Sequence, residues 1–469
     1  MTELYTRRGS LSVIKEAAIN TPLTPTTFVP FNDENISGQY PYMPSSPVAG
    51  NRAMNLRAIK GAIPAMEGTI NLNIEPKTFP KFLLALLGGL TSGNYVTISN
   101  IVGTFNTTNL VTFVGSGATA TPAYVGDNYI IFGAITGSPV ATDTLSQAVS
   151  AATADVDAVD TTVYGHVGAI PAEVGTGETL TLQVNYVDNA IRYMGVRVRA
   201  LDALGQADNI ITAGVSIIAQ SQFRHAKVTA ITTAGAGAKT ITVDQTKGLV
   251  AADSIKLYRP GTGFLDFSAA SVKTHTIGTV ATTTTITITN LETATAVGDL
   301  IMLAPQTASY TINKEMPWVG GSQISVGASL SAVSAENVED FTIVLNNEFE
   351  SRHAASGALL ENRFPTAILQ KGVRGNGTFK LYYTDEDFVR SLRLNTAQAL
   401  KLVVTGEAIG STDFFYTLRV DVPEAQFDDF NTNLNVDAIV DQDIPYTMFY
   451  NSTAGYLARV LVVNDIASY

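Results

Sequence analysis

Apolar residues alternate with small or hydroxylated ones at period two along most of this chain, in runs closed off by Gly, Asn and Asp. A strand sends successive side chains to opposite faces, so the pattern commits the chain to many strands. Clear cases are residues 69–74, 196–200, 212–218, 341–345 and 417–422. The main helical signal is short. In residues 75–89, Pro76 sits where a first helical turn tolerates it, Phe79, Phe82, Leu83, Leu86 and Leu87 recur at helical spacing, and Gly88 supplies a stop. A strand therefore leads directly into a helix with one buried face.

So much sheet needs its edges paired or covered: by closing a barrel, by insertion, or by handing them to a neighbour. Composition points to the neighbour. Of 469 residues, 45% are hydrophobic and 15% charged, which excludes disorder and suggests surface covered by copies of the same chain. A length of 469 residues allows roughly three domains or one large elaborated one. The net charge of -12 argues against a surface that grips nucleic-acid phosphates, while leaving room for DNA that passes without being held. The absence of cysteine removes disulfides, zinc-thiolate sites and thiol nucleophiles. Arg7 and Arg8 are not followed by an apolar stretch, and the longest apolar run, residues 82–87, falls far short of the roughly 20 residues that span a bilayer. The expectation is a chain kept in a cytoplasm, away from membranes.

The strand-helix unit recurs. Gly68-Thr69-Ile70-Asn71-Leu72 aligns without a gap on Gly377-Thr378-Phe379-Lys380-Leu381, and the same offset pairs Phe79 with Phe388, Lys81 with Arg390 and Leu83 with Leu392. Asp385, Glu386 and Asp387 would then favour the first turn of a second helix. A looser match sets Val196-Arg197-Val198 on Leu418-Arg419-Val420. One α+β unit is built twice, and a ring of such chains would have a pseudo-symmetry twice its true symmetry. Between the repeated parts lie two β-rich segments of different composition. Residues 95–175 hold no Lys or Arg but six carboxylates, and residues 226–306 are Thr-rich, nearly charge-balanced and hairpin-like. The expected organisation is core at 1–94, an acidic insertion at 95–175, core at 176–225, a small barrel- or sandwich-like insertion at 226–306, and core again at 307–469.

The search for chemistry is negative. Residues 234–240 approach a phosphate-binding loop, but Ala238 breaks the spacing and the segment feeds a strand, so a hairpin turn is the better reading. Asp421, Glu424, Asp428, Asp429, Asp437, Asp441 and Asp443 lack calcium-loop spacing and read as an acidic surface. No nucleophile elbow or HExxH pair occurs, and His166, His225, His275 and His353 are scattered. No enzyme, metal or cofactor is expected. Trp318, the only tryptophan, reads as a packing anchor in a loop or subunit contact.

Certain residues carry a family resemblance. Residues 12–22 (SVIKEAAINTP) with the continuation through Pro30 resemble the opening of tail tube (major tail) proteins of long-tailed bacteriophages. Residues 67–89 resemble that family's strand and short helix, residues 180–219 its next strand pair, and residues 339–350 and 372–383 its C-terminal strands. The resemblance implies a mainly β protein, sandwich- or barrel-like with short flanking helices: a duplicated tail-tube core with two β-rich insertions. It also implies a structural virion protein that stacks as trimeric or hexameric rings into a hollow tail tube. The duplication favours the trimer. Expected partners are further copies of itself and other tail proteins (tape measure, terminator, distal tail or baseplate), with DNA passing through an acidic or neutral lumen. Assembly would take place in the host cytoplasm.

Alternation nominates the faces. Ile70, Leu72, Ile74, Phe379, Leu381, Tyr383, Val196, Val198, Leu418, Val420 and Val422 should face the core. Thr69, Asn71, Asn73, Glu75, Thr378, Lys380, Tyr382, Arg197, Arg199, Thr417, Arg419 and Asp421 then form wet faces and are the candidates to line a lumen, with the arginines open to acids of an adjacent subunit. The N-terminal arm and the acidic C-terminal region are expected contacts between rings or subunits. Two other readings stand beside this one: a receptor- or glycan-binding virion surface module working through the insertions, and a hydrolase working through the C-terminal carboxylates.

Overall fold

The structure is a computed structural model that describes residues 9–38, 42–45, 57–60, 62–170, 177–268, 271–310, 314–318, 322–353, 364–382, 390–391, 393–428, 432–433 and 441–469. It is mainly β, 57% strand, built around one large antiparallel sheet system. The first half contributes β1 (Ser10–Lys15), β2 (Thr27–Val29), β3 (Asp33–Glu34), β4 (Met66–Asn73), helix α1 (Pro80–Leu87), β5 (Leu180–Asn185), β6 (Ala190–Gln206), β7 (Thr212–Ala219) and β8 (Ser221–Phe223). The second half contributes β9 (Gln323–Gly327), β10 (Val333–Glu336), β11 (Val338–Arg352), β12 (Ala367–Tyr382), β13 (Gln398–Ala408), β14 (Phe415–Phe427), β15 (Thr432–Asn433), β16 (Asp441–Met448) and β17 (Arg459–Asn464).

Seven antiparallel pairings occur twice, in the same order. β1 pairs β2 and β5, as β9 pairs β10 and β13. β4 lies between β3 and β7, as β12 lies between β11 and β16. β6 pairs β5, β7 and β8, as β14 pairs β13, β16 and β17. The register repeats too. Gly68 opposes Ile217 and Thr212 opposes Asn73 in one unit, while Gly377 opposes Tyr446 and Asp441 opposes Tyr382 in the other. Even an irregularity recurs, a register shift between Leu180 and Leu182 and again between Gln398 and Leu400. The chain is thus one unit built twice. The looser sequence match needs correction: Val198 opposes Ile217 as Phe427 opposes Tyr446, so Val198 corresponds to Phe427, seven residues beyond Val420.

The two units are joined edge to edge. After a bulge between Val198 and Ala200, β6 turns from one layer into the other and pairs β11 from Ala200↔Asn346 to Gln206↔Asp340. The result is a continuous sheet in the order β3-β4-β7-β6-β11-β12-β16-β14, with β15 extending β14 beside β16. Strands β9, β10, β13, β14 and β17 form the facing layer of the second unit, and one apolar core runs between the layers through both units.

Helix α1 begins on Pro80 and ends at Gly88 in the left-handed conformation, φ 79°. Asn347 Nδ2 donates to the Leu86 carbonyl at 2.7 Å, satisfying a helix end from the other unit. Most of the expected second helix lies outside the described residues, Asp385, Glu386, Asp387, Phe388 and Leu392 included, as does Tyr383; Arg390, Ser391 and Arg393 are helical.

Residues 96–156 and residues 223–303 each pack a separate apolar cluster. The first leaves and re-enters the core through strands Thr91–Val102 and Ala152–Ala169, the latter pairing β17 from Tyr164↔Asn464 to Ala169↔Arg459. A segment that follows α1 in the first unit is therefore seated on the second. The other cluster is pinned to β6 by Arg192, 1% exposed, which donates to both Asp253 carboxylate oxygens at 2.7 Å and to Gln183 Oε1. Residues 235–242 form a strand paired with the non-consecutive strand Thr285–Leu291, so the glycine-rich stretch before Lys239 is itself strand and not the expected hairpin turn.

Candidate functional site

The feature set apart from ordinary packing is the open face of the eight-stranded sheet. Alternation there holds across both units. Ile70 and Leu72 on β4, Val215 and Ile217 on β7, Phe341, Ile343 and Leu345 on β11, and Phe379 and Leu381 on β12 are buried. The residues between them are mostly polar and small and at least partly exposed, with Val344 on β11 and Leu204 on β6 the apolar exceptions: Thr69, Asn71 and Asn73 on β4, Thr212, Gly214 and Ser216 on β7, Thr342 and Asn346 on β11, Asn376, Thr378 and Lys380 on β12. They bond to one another across the strands. Thr69 Oγ1 lies 3.2 Å from Ser216 Oγ, Thr342 Oγ1 lies 2.8 Å from Thr378 Oγ1, and Asn71 Nδ2 donates to Asp33 Oδ1 at 2.7 Å. Lys380 pairs with Glu339 at 3.1 Å, and Asp202 on β6 has its carboxyl pushed above the usual range by partial burial. The face is hydroxyl- and amide-lined, with its few charges mixed in sign.

Of the residues named from sequence, Thr69, Asn71, Asn73, Thr378 and Lys380 are brought together on this face. Arg199 is exposed and pairs with Glu67 at 3.1 Å. Tyr382 ends β12, its side chain outside the described residues.

Four others are corrections, because they are buried. Glu75 lies beyond the end of β4, where strand alternation no longer applies, and accepts a hydrogen bond from Thr78 Oγ1 in the turn before α1. Arg197 immediately precedes the β6 bulge and lies with its guanidinium 5.7 Å from the Phe349 ring centroid. Arg419 and Asp421 do point away from the core side of β14, but the first insertion covers that side. Arg419 binds Asp421 at 2.7 Å and Asp127 at 3.0 Å, and Arg459 binds Asp421 at 2.6 Å, against the rings of Tyr124 and Tyr129. Arg199, Arg419 and Arg459 find acids within the same chain. Thr417, on the same strand face, is half-buried in the facing layer.

Sequence reasoning placed 212–218 on a strand but nominated none of its residues; the alternation Thr212, Gly214, Ser216 was the available signal. The C-terminal carboxylates serve separate structural bonds. Asp421 is held by two arginines, Glu424 accepts from Asn451 and Asp428 from Thr447. Asp429 and Asp437 lie outside the described residues. Among the described residues no three His, Cys, Asp or Glu side chains are grouped to hold a metal ion. Trp318 packs edge-on against Phe341 and donates its indole N–H to the Glu339 carbonyl at 2.9 Å. Among the described residues no helix is long and apolar enough to cross a membrane. No protein-family model matches the chain, and no curated protein matches it.

Proposed function

We propose that this chain is a structural virion protein, the tail tube protein of a long-tailed bacteriophage, whose copies form rings that stack into a hollow tube for DNA. The observation that carries the reading is the β6–β11 junction, where two equivalent units add their strands side by side into one sheet. Repeating that head-to-tail step from chain to chain generates either a closed ring or an open helix. A ring of three chains would present six units, with the hydroxyl- and amide-lined face turned to the bore. Such a wall suits a conduit. Phosphates are held by clustered Lys and Arg, and the sequence-wide charge of -12 with a face of mixed, sparse charge gives them no place to stick. The acidic and Thr-rich insertions would then decorate the outside, and tape measure, terminator and distal tail or baseplate proteins would meet the tube's bore and ends.

Electron microscopy and mass measurement of the purified protein test this reading. Rings or tubes with a central bore and three chains per ring are expected. A monomer that persists at high concentration, with no bore in any assembly, overturns it.

A further inference from the structure

The internal junction also specifies, residue by residue, how one chain would meet the next. In the second unit β11 is paired on both sides, by β12 and by β6, with Thr342 opposite Leu204 and Ile343 opposite Ala203. Its counterpart β3 is paired on one side only among the described residues. The ladders give the equivalences: Asp33 opposes Asn71 as Asp340 opposes Lys380, so Asn35 corresponds to Thr342 and Ile36 to Ile343. At the other end of the sheet, Thr432 opposes Gln442 as Ala203 opposes Ala213, and Asn433 opposes Asp441 as Leu204 opposes Thr212. Among the described residues, nothing pairs the far side of β15 either.

We infer that a second copy of this chain docks β15 on the free edge of β3, Ile36 opposite Thr432 and Asn35 opposite Asn433, and that Glu34 guards this edge until it does. The amides of Asn35 and Ser37 donate inward to the Thr69 and Glu67 carbonyls, so the Ile36 amide points out along the open edge. In the single chain it donates to Glu34 Oε2 at 2.9 Å, while Tyr186 O–H donates to Glu34 Oε1 at 3.2 Å. The equivalent position in the second unit is Phe341, a core residue packed on Trp318. A carboxylate stands only where the edge is free. It occupies the N–H that the Thr432 carbonyl of the incoming copy would take, which is how a sheet edge is kept from indiscriminate pairing. Docking exchanges one acceptor for another and returns the carboxylate to water.

The inference rests on the tube reading, and its test separates the two. The chain contains no cysteine, so Asn35→Cys with Asn433→Cys creates one possible bridge, at the closely spaced kind of antiparallel pair. Under oxidation during assembly, disulfide-linked oligomers are expected from the double variant and none from either single variant. Ser37→Cys with Asn433→Cys, two residues out of register, should link several-fold less. Glu34→Ala should lower the protein concentration at which assembly begins by several-fold. Rings without linking at 35/433, or with preferential linking at 37/433, overturn the register and leave the tube standing. An unchanged or raised onset in Glu34→Ala overturns the guard. Absence of any ring overturns the docking and the tube together.

Discussion

At the scale of single residues, buried polar side chains such as His166, Arg192 and Asp421 find their partners inside the chain. His166 is fully buried on strand Ala152–Ala169, with Nδ1 2.8 Å from Ser92 Oγ and Nε2 3.0 Å from Asn464 Oδ1. Burial lowers its pKa below the ordinary 6.5. The unfolded chain takes up that proton more readily, so His166 contributes stability that is present above 6.5 and lost as pH falls through the folded value. In His166→Gln, the slope of unfolding free energy against pH should be shallower just below 6.5 than in the parent, as followed by denaturant titration. An equal slope would assign that acid sensitivity to other groups. Arg419 and Asp421 teach a related lesson. Their types and spacing read as solvent-facing, yet whether a second face is covered depends on distant chain: Asp127 reaches Arg419 across 292 positions.

At the scale of elements, alternation alone placed most of the sheet correctly. Side-chain direction along a strand depends on the local backbone, so Ile70, Leu72, Phe379 and Leu381 could be read as core without any tertiary knowledge. It failed where the element ended or bulged, at Glu75 and Arg197. Leu72 tests the β4 assignment directly, being 1% exposed and opposite Ala213. Leu72→Ala should cost about 2–5 kcal/mol of stability. Leu72→Asp buries an uncompensated carboxylate and should abolish the cooperative unfolding transition seen by circular dichroism, and with it any polymer. Normal folding and assembly of Leu72→Asp would show the core face to be misassigned.

At the scale of the whole molecule, the first insertion acts as a clamp between the two units. It departs next to α1 but packs Tyr129, Ile131, Val163 and Val167 against Ile409, Phe414, Leu461 and Val463 of the second unit. Val96 and Val159 oppose each other in its stem, so residues 97–158 can be replaced by a short turn. That excision should lower the calorimetric unfolding midpoint by removing the cover over Arg419, Asp421 and Arg459, and an unchanged midpoint would reduce the insertion to an appendage.

The amino-acid sequence by itself determined many of the strands, a helix within residues 75–89 that the structure starts at Pro80 rather than near Pro76, and the recurrence of the strand beginning at Gly68 in the one beginning at Gly377, because periodicity and turn chemistry act over a few neighbouring residues. Tertiary structure alone decided that β6 leaves one layer to join β11, that an insertion in one unit seals β14 and β17 of the other, and that β3 is paired on one side only among the described residues. Which edges meet and which faces are covered depends on contacts between segments hundreds of residues apart, and no local pattern encodes those.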